Sequence, residues 1–404
     1  MSTQWPGGIL SKTAPTITAP TGGEGGSASG MWTMDEVLVH EKAGNWPQRS
    51  WNGGTLFSWG AGSYGRLGHG NTDNLSSPVQ VGSYATWKTA VAGSPGNSAV
   101  VMSDGTAWAW GYNNGMLGTG NTTDYSAPVQ IGSLTTWKKI HLGNYCTGAI
   151  KTDGTIWSAG SGSSGKLGHG NTTSLSSLTQ IGSLTTWLDI AAGYYFQVAV
   201  KTDNTLWAWG RNTLGQLAQG NTTVRSSPVQ IGSLTNWAKI DVGNNHAGAI
   251  KTDGTLWMWG KNNIGQLGDG STTVRSSPVQ IGSLTTWSKI TIGDVHTMAI
   301  KTDGTLWSWG EGANGRLGIG NTVDKSSPVQ VGALTTWAEA NCFFHSAAVT
   351  TDKKLYAWGY NGLGGLGQGN TTVQSSPVQV GSLTNWKTIS VHGNQHNLAI
   401  TTDL

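Results

Sequence analysis

Charged side chains are scarce in this chain of 404 residues, in which Asp, Glu, Lys and Arg together make up 11%. About 25% is usual in a globular protein, so Ser, Thr, Asn and Gln must supply most of the polar surface. The charges that are present nearly cancel, to a net charge of +3. A surface this close to neutral gives no support to nucleic acid as a partner.

Cysteine and long apolar runs are also lacking. Cys146 and Cys342 lie far apart and neither belongs to a C-x-x-C pair, so the sequence indicates neither a disulfide framework nor a zinc site, and we expect two buried free thiols. No stretch approaches the roughly 18 apolar residues of a membrane span, and "MSTQWPGGIL" lacks the pattern of a signal peptide. We therefore expect a soluble protein, made in a cytoplasm, without a membrane-inserted segment.

Glycine and tryptophan are abundant by contrast, with 62 and 22 residues, and they recur in order. An "LGxGN" motif or a close variant appears seven times, and so does a tripeptide related to "TTW". The spacing is 50 residues, with 49 in one interval of each series, which is the signature of a repeat architecture. The tryptophans of the second series are Trp87, Trp137, Trp187, Trp237, Trp287, Trp337 and Trp386.

Each unit contains four short runs with the composition of β-strands. In residues 228–277 the runs are "PVQI", "WAKI", "HAGAI" and "TLWMWG", each bounded by Gly, Asn, Asp or Ser. The Asp253-Gly254 pair supplies the positive φ that a tight hairpin needs between the last two. Helical periodicity is absent from the repeats. Seven four-stranded units that cannot bury their apolar faces alone predict an all-β fold, a seven-bladed β-propeller.

Two aromatic positions in the last run of each unit lie two residues apart and so point to the same face of the strand. We interpret them as packing between neighbouring blades; a carbohydrate platform is the alternative. Ala159 is the one small residue, and we predict looser packing beside it. The first aromatic position is occupied by Phe57, Trp108, Trp157, Trp207, Trp257, Trp307 and Tyr356. The second aromatic position is occupied by Trp59, Trp110, Ala159, Trp209, Trp259, Trp309 and Trp358.

The two ends of the repeat region are complementary. The last copy stops after "HNLAITTD", before the strand that follows this turn in every other unit. The unclaimed strand is "GGTLFSWG" at residues 53–60, which in turn lacks a preceding strand. We therefore predict a closing blade that the N- and C-terminal strands share, so that this blade has no open edge inside it.

The unit "GxxHxxAIKTDGTLWxWGxNxxGQLGxGNTTxxSSPVQI" resembles the repeat of the regulator of chromosome condensation family, over residues 51–404. The resemblance implies a seven-bladed propeller with a shared closing blade. Some members of that family are guanine-nucleotide exchange factors for a small nuclear GTPase and bind nucleosomes, and many others are interaction platforms. This sequence departs from the exchange-factor pattern because it has no long insertion that could act as a wedge and no basic nuclear-targeting run.

The family's repeat histidine is kept at four positions: His246, His296, His345 and His396. Cys146 and Phe196 replace it in two other units. Four histidines in neighbouring blades could converge on a metal ion, but a thiol and an aromatic ring at the same position favour a role in tying strands together by hydrogen bonds. The sequence has no nucleophile elbow and no phosphate-binding loop before a helix. We predict no enzymatic activity, no cofactor and no metal.

The long loops that follow each "WG" are where the repeats differ, and such loops commonly carry binding. One position lies directly after "WG" and another just before "SS". Consecutive units are basic at these two positions, whereas the opposite units are apolar and aromatic. We predict a one-sided recognition surface; neutral variation of solvated loops is the alternative. The candidate binding residues are Tyr112, Tyr125, Arg211, Arg225, Lys261, Arg275 and Lys325.

The first fifty residues differ from the repeats. Residues 1–30 are rich in Gly, Pro, Ser and Thr and predict an extended arm. Residues 31–50 predict a short helix and a linker, with Thr33 as N-cap and Gly44 at the end. The segment "GMWTMDEVLVHEKAGNWPQ" resembles a linking motif of tailed-phage structural proteins, especially those of marine phages. The candidate anchoring residues are Trp5, Trp32, Met34, Val37, Leu38 and Trp46.

Together these features predict a non-enzymatic virion protein, either a tail fibre or accessory protein or a capsid decoration. Residues 1–50 would dock on other virion proteins, and the propeller loops would face a host surface protein or a glycan. One alternative is an intracellular scaffold or exchange factor of the chromosome-condensation-regulator type, with a cytoplasmic location. A glycan-binding propeller, with tryptophan exposed on a loop face, is the other.

Overall fold

The computed structural model describes residues 53–392 and 396–402, and these residues form 28 β-strands and three single 3-10 turns. The turns span Ser63–Gly65, Ser163–Gly165 and Ala313–Gly315. The strands are β1 (Leu56–Gly60), β2 (Leu75–Gln80), β3 (Trp87–Gly93), β4 (Asn97–Met102), β5 (Ala107–Gly111), β6 (Tyr125–Gln130), β7 (Trp137–Gly143), β8 (Cys146–Lys151), β9 (Ile156–Gly160), β10 (Leu175–Gln180), β11 (Trp187–Ala192), β12 (Phe196–Lys201), β13 (Leu206–Gly210), β14 (Arg225–Gln230), β15 (Trp237–Val242), β16 (His246–Lys251), β17 (Leu256–Gly260), β18 (Arg275–Gln280), β19 (Trp287–Ile292), β20 (His296–Lys301), β21 (Leu306–Gly310), β22 (Lys325–Gln330), β23 (Trp337–Cys342), β24 (His345–Thr350), β25 (Leu355–Gly359), β26 (Gln374–Gln379), β27 (Trp386–His392) and β28 (His396–Thr401).

The strands form seven antiparallel sheets of four strands each, which confirms the predicted seven-bladed propeller. Blade 1 consists of β27, β28, β1 and β2, and blades 2 to 7 follow in chain order from β3 to β26. The first strands of neighbouring blades contact one another all the way round, so they line the central channel. Apolar clusters join the second and third strands of one blade to the first strand of the next, as Val198 and Ala208 do with Trp237. The core therefore lies between the blades.

Strand direction divides the connections between two opposite faces. The turn between the first and second strands and the long loop after the third strand lie at one end of each blade, which we call the loop face. The turn between the second and third strands and the link to the next blade lie at the other end, which we call the turn face. All seven long loops, the source of the predicted binding residues, are therefore on one side of the ring.

Blade 1 closes the ring as the sequence predicts. Strand β1 pairs with β28 in continuous register, from Leu56 opposite Ile400 to Gly60 opposite His396. The Thr401 N–H donates to the Thr55 carbonyl at 3.0 Å, and this bond reproduces the one from Lys251 to Thr255 that closes the uninterrupted turn of blade 5. The predicted arm, helix and linker of residues 1–50 lie outside the described residues.

The second aromatic position confirms its predicted role in packing between blades. Its six tryptophans are fully buried. Each indole donates its Nε1–H to a loop carbonyl of the preceding blade at 2.8–3.0 Å, so it satisfies its polar atom while it fills the interface. Beside Ala159 the expected loose packing is corrected. Leu178 stands where all six other blades have proline, and its side chain lies against Gly118, at the place where an indole lies against the equivalent glycine of other interfaces.

The first aromatic position is only half-buried, which corrects the expectation that both positions simply fill the interface. Trp207 packs edge-on against Trp187 at the start of the first strand of its blade, with ring centroids 5.9 Å apart. In four blades a lysine ammonium lies over this half-buried indole, at 3.6–3.9 Å from the ring centroid, in a cation–π contact. These lysines are Lys151, Lys201, Lys251 and Lys301.

Candidate functional site

The loops of the loop face are held in one of two ways. In blades 2, 4, 5 and 7 a buried asparagine bridges each loop. In blade 5, Asn262 donates to the carbonyls of Ser271 and Thr273 at 3.1 and 3.0 Å, and it accepts the Leu267 N–H at 2.9 Å. In blades 1, 3 and 6 a glycine takes this place, and its N–H binds a side chain at the far end of the loop, as Gly312 binds Asp324 at 2.8 Å. These contacts make the loops fixed platforms.

The glycine-type loops also contain a buried cation. Arg66, Lys166 and Arg316 stand four residues after the glycine and are 0–6% exposed. The two arginines donate their Nε–H to a carbonyl in their own 3-10 turn at 2.8 and 2.9 Å, whereas Lys166 donates to the Asn144 carbonyl at 3.0 Å. Burial lowers the pKa of all three groups. The loop face therefore has positive charge beneath its surface in three blades.

The structure brings the two predicted binding positions of each blade together. Arg225 pairs in register with Gly210, so it lies beside Arg211, and Arg275 pairs with Gly260 beside Lys261. Tyr125 pairs with Gly111 and lies beside Tyr112 in the same manner. Lys325 lies beside Glu311, because it pairs with Gly310.

Not all of these charges are free to attract a partner. Arg275 forms an ion pair with Asp269 at 2.7 Å, and Glu311 pairs with Arg316 at 2.6 Å. Arg211 binds the Thr213 hydroxyl through its Nε–H at 2.9 Å and has no carboxylate partner in the described part of the chain. The basic flank of the loop face consists of Arg211, Arg225, Lys261 and Lys325.

Sequence reasoning proposed only Tyr112 from a set of five tyrosines that lie on four neighbouring blades. Tyr64 packs edge-on against Tyr112 with ring centroids 5.0 Å apart, and Tyr112 packs against Tyr145 at 6.3 Å. Further round, Tyr194 and Tyr195 are 4.2 Å apart. We call these five residues the tyrosine arc. Its members come from loops of blades 1 and 2 and from turns of blades 3 and 4, which explains why a comparison of two loop positions found Tyr112 alone.

Cations link the two halves of the tyrosine arc. The Lys166 ammonium lies 5.7 Å from the ring centroid of Tyr145 and 4.8 Å from that of Tyr195. The Arg211 guanidinium lies 5.4 Å from the Tyr195 ring. A hydrogen bond with Tyr195 and partial burial raise the pKa of Tyr194 to about 12, so its hydroxyl stays neutral. The arc is therefore an aromatic surface over positive charge.

The repeat histidines tie neighbouring blades together, which confirms the hydrogen-bonding interpretation. All four are fully buried. Thr297 donates its hydroxyl to the Gln266 carbonyl at 2.9 Å, so it accepts from His246 Nε2–H at 3.2 Å. Burial holds the pKa of His246 at about 3, and the ring stays neutral. Among the described residues, no group of three or more His, Cys, Asp or Glu could hold a metal ion. Cys146 and Cys342 are buried free thiols.

The central channel has a second set of contacts between blades. Asp241, on the first strand of blade 5, accepts the Ile292 N–H of blade 6 at 2.7 Å. Asn341 occupies the equivalent position in blade 7 and accepts the Val391 N–H at 3.0 Å. Burial raises the pKa of Asp241 to about 7. These side chains satisfy edge N–H groups of the strands that face the channel.

Grooves of about 380–440 Å³ lie between neighbouring blades on the outer side of the ring. Each is lined by tryptophans of one blade and by a Ser-Pro or Ala-Pro pair of its fourth strand. In the groove of blade 2, Tyr84 is 56% exposed and Trp108 has no lysine above it, since Met102 stands in place of the lysine. The half-exposed indoles therefore lie in grooves outside the loop face.

The candidate anchoring residues Trp5, Trp32, Met34, Val37, Leu38 and Trp46 lie outside the described residues, so the structure does not test their role. Within residues 53–392 and 396–402, no helix is long and apolar enough to span a membrane.

Comparison with known families finds seven matches to the Regulator of chromosome condensation (RCC1) repeat, and together they span most of the chain. The matched segments are residues 53–100, 104–150, 153–200, 203–250, 253–300, 303–342 and 352–400. A second form of the same repeat matches residues 187–216, 237–266 and 287–316. Each long match begins near the hairpin turn, and all but the match at residues 303–342 end in the second strand of the following blade, which is the register that the sequence repeat shows.

Solved structures of similar fold include human WBSCR16, with 20% sequence identity and a TM-score of 0.78 over 87% of this chain and 99% of that one. Prp20p from Saccharomyces cerevisiae, described with its binding properties to Gsp1p and histones, has 19% identity and a TM-score of 0.78 over 87% and 92%. The yeast protein bound to Kap60 has 18% identity and a TM-score of 0.76 over 87% and 90%. At this identity the likeness supports the fold alone.

Proposed function

Because the chain belongs to the regulator of chromosome condensation (RCC1) repeat family, we propose that it is a non-enzymatic propeller that binds a protein partner with its loop face. The observation that carries this proposal is the tyrosine arc, two groups of packed tyrosines on four blades of otherwise near-identical repeats, which Lys166 links. Tyr64 is 49% exposed, and so the arc begins at the surface.

The chemistry of the arc suits protein recognition. Tyrosine and arginine are enriched among the residues that dominate binding energy, since they offer a large contact area with a polar end. Here the rings hold one another, and Lys166 supports two of them from below. A surface that is already ordered loses little conformational entropy on binding. The basic flank, with Arg211 and Lys261, would add attraction for an acidic partner.

The relatives of similar fold support the partner class. Prp20p was described with binding to Gsp1p and to histones, and with Kap60 as a bound partner. All of these are proteins. We extend to this chain the expectation of a protein partner and leave the identity of that partner to experiment.

An extract of the native source tests the loop face. The full chain would be the bait, with the double variant Tyr64→Ser, Tyr112→Ser and, as control, Leu184→Ser, Leu234→Ser on the turn face, where both leucines are 48% exposed. We expect recovery of the main partner to fall roughly tenfold or more, the effect of ~1.4 kcal/mol, in the tyrosine variant only. Loss in the leucine variant alone would place binding on the turn face and overturn the proposal.

The finer proposal is that the partner is encountered on a virion. Its support is the resemblance of the segment at residues 30–48 to linking motifs of tailed-phage structural proteins. Co-sedimentation with purified particles, comparing the full chain with residues 51–404, tests it. We expect only the full chain to travel with particles; if neither does, the virion location falls and a cytoplasmic scaffold takes its place.

An exchange factor of the family type is the alternative within that scaffold class. The described long loops, from residues 61–74 to residues 360–373, have near-equal lengths, and none is extended into a wedge. We therefore expect no acceleration of nucleotide release from small GTPases of the native host, measured by loss of a fluorescent guanine nucleotide.

A glycan is a second candidate ligand because of the groove at Tyr84 and Trp108. The Trp108 indole is half-buried, and the groove has a volume of about 440 Å³. This volume is enough to admit a sugar ring beside the aromatic face. A glycan array, followed by quenching of intrinsic fluorescence, tests it. Binding that is lost in Trp108→Ala and kept in Tyr112→Ser would establish the groove as the site; an array without signal would exclude this function.

A further inference from the structure

Two loops of the loop face have nearly the same sequence and differ in one charge. Blade 1 reads "WGAGSYGRLG" from Trp59, and blade 6 reads "WGEGANGRLG" from Trp309. Both contain a glycine in the bridging position, a 3-10 turn and a buried arginine whose Nε–H binds a carbonyl of that turn, at 2.8 Å for Arg66 and 2.9 Å for Arg316. Each blade is therefore an internal reference for the other.

In blade 6 the guanidinium of Arg316 also forms an ion pair through a second nitrogen, Nη1. Arg316 Nη1 donates to the Glu311 carboxylate at 2.6 Å, and the Glu311 side chain is 29% exposed. Asp294 and Asp324 add further negative charge around Arg316. The site beside the Arg316 guanidinium therefore accommodates a carboxylate and is partly exposed to solvent.

In blade 1 the equivalent nitrogen, Arg66 Nη1, has no partner among the residues that the structure describes. Arg66 is 2% exposed, its Nη1 is buried, and this atom makes no hydrogen bond to any described residue. None of the ion pairs found in residues 53–392 and 396–402 includes Arg66. Ala61 stands where blade 6 has Glu311, and Tyr64 stands where it has Asn314. A buried cation without its counter-charge is costly.

From this contrast we infer that Arg66 is a receptor for a carboxylate of the partner protein, from an Asp or Glu side chain that enters beside Ala61 and Tyr64. The inference rests on the proposed binding at the loop face and names the chemistry that this face recognises. The carboxylate would take the place that the Glu311 carboxylate takes in blade 6. Two parallel N–H···O bonds from a guanidinium fix the orientation of such a group as well as its charge.

The surroundings of Arg66 fit this role. The guanidinium lies against the backbone at Gly96, where a Cβ would come within 2.4 Å of it, so the plane is held from one side. The Tyr64 ring, centred 5.7 Å from the guanidinium carbon, covers it from the solvent. Tyr64 belongs to the tyrosine arc, so a partner that contacts the arc and displaces this ring would reach the buried charge.

The site can be tested with a defined probe. The full chain with ¹⁵N-labelled arginine would be titrated with the capped peptide acetyl-Gly-Glu-Gly-amide and with its glutamine counterpart, and the Nε–H signals of Arg66 and Arg316 would be followed by NMR. We expect the glutamate peptide alone to shift the Arg66 signal and neither peptide to shift that of Arg316. Arg66→Gln and Arg316→Gln assign the two signals.

The second blade supplies matched variants. Ala61→Glu gives blade 1 its own carboxylate and should weaken the peptide at least tenfold. Ala61→Gln fills the same place without the charge and should weaken the peptide less than Ala61→Glu does. Glu311→Ala removes the carboxylate of blade 6 and should make the Arg316 signal sensitive to the glutamate peptide. Ala61→Glu and Glu311→Ala each introduce the residue that the other blade has at the same position. Both loops should therefore keep their fold, and the effects of these two variants should depend on charge.

Several outcomes would overturn the inference. They are an Arg66 signal that the glutamate peptide does not move, equal shifts with both peptides, or unchanged affinity in Ala61→Glu. An Arg66 signal that already shows a carboxylate contact in the free protein would assign the site to an acidic group of this chain instead. If recovery of the partner depends on the tyrosine arc but the glutamate peptide does not shift the Arg66 signal, the proposed function stands and this inference alone fails.

Discussion

At the scale of single residues, repeats place different side chains in equivalent surroundings. Asp241 and Asn341 stand at the same position on the channel wall and accept the same type of backbone N–H, at 2.7 and 3.0 Å. Only the aspartate can ionise there. Burial raises its pKa to about 7, with Lys139 opposing the shift and Asp189 adding to it.

Asp241→Asn should therefore stabilise the protein in a manner that depends on pH. An unfolded aspartate ionises near pH 3.9, while the folded one keeps its proton until about pH 7. Between these values the folded state holds the extra proton, so the stability contributed by Asp241 falls as the pH rises. We expect the variant to exceed the wild type by about 1–2 kcal/mol at pH 8, since the channel leaves the carboxylate partly exposed.

The gain should shrink as the pH is lowered toward 4. Urea unfolding at pH 5 and pH 8 measures it, and the reverse change Asn341→Asp should show the opposite sign. A gain of the same size at both pH values would show that Asp241 ionises normally in the folded protein.

Leu178 offers a second comparison, because it replaces a proline and lies where Ala159 leaves out an indole. Leu178→Pro should open a cavity and cost about 2–4 kcal/mol. Ala159→Trp alone should overpack the interface and cost about 1–3 kcal/mol. The double variant restores the arrangement of the other blades and should be more stable than the sum of the two losses predicts.

A double-mutant cycle by urea unfolding measures this coupling. We expect an interaction energy of about 1 kcal/mol or more in favour of the pair. Strict additivity would mean that Leu178 and the missing indole do not share one space.

At the scale of single elements, each long loop is a rigid platform because one buried group satisfies several backbone atoms. Asn262 contacts three backbone groups of its loop, which lie on both sides of the loop. The glycine-type loops obtain similar support from a 3-10 turn and a buried cation. Binding residues on such loops are positioned before a partner arrives.

Asn262→Ala tests the platform. It leaves the Ser271 and Thr273 carbonyls and the Leu267 N–H without their partner, and we expect a loss of about 2–3 kcal/mol. Faster amide exchange of Leu267 should accompany the loss. Thr272→Ala, at an exposed position in the same loop, should stay within about 0.5 kcal/mol of the wild type. Equal effects of the two variants would contradict the bridging role.

At the scale of the whole molecule, the ring is closed without a covalent link between its first and last strands. Five residue pairs join β1 to β28, and β28 also pairs with β27. Removing β28 would expose an edge of each neighbour and interrupt the chain of buried histidines at His396, which contacts Ser98 of blade 2 at 3.3 Å.

A chain that ends at residue 395 should therefore lose its cooperative unfolding transition and aggregate, because two strand edges are left open. A synthetic peptide of residues 396–402 should add back as the missing strand and restore a monomer. Size-exclusion chromatography and thermal unfolding by circular dichroism measure both effects. A scrambled peptide is the control, and a stable monomer without any peptide would contradict the closure.

Much of the propeller could be predicted from the sequence, since its determinants are local and repeated. The pattern of strands, the hairpin at Asp253-Gly254 and the spacing of 50 residues fix the blade and its register, and seven copies fix the ring. The complementary ends at residues 53–60 and 396–403 fix its closure. The role of the repeat histidines in hydrogen bonding between blades was also predictable. Cys146 and Phe196 occupy the same position in two other units, and a phenyl ring there does not fit a ring of metal ligands.

Only the tertiary structure decided which side chains meet across blades. Tyr64, Tyr112 and Tyr145 belong to three different repeats, and their contacts follow from the curvature of the ring and not from any spacing along the chain. The same holds for Leu178 beside Ala159. The sequence by itself determined the number, order and closure of the blades, because these depend on local periodicity. Which aromatic rings meet, and which cations lie against them, was decided by side chains of neighbouring blades that are far apart along the chain.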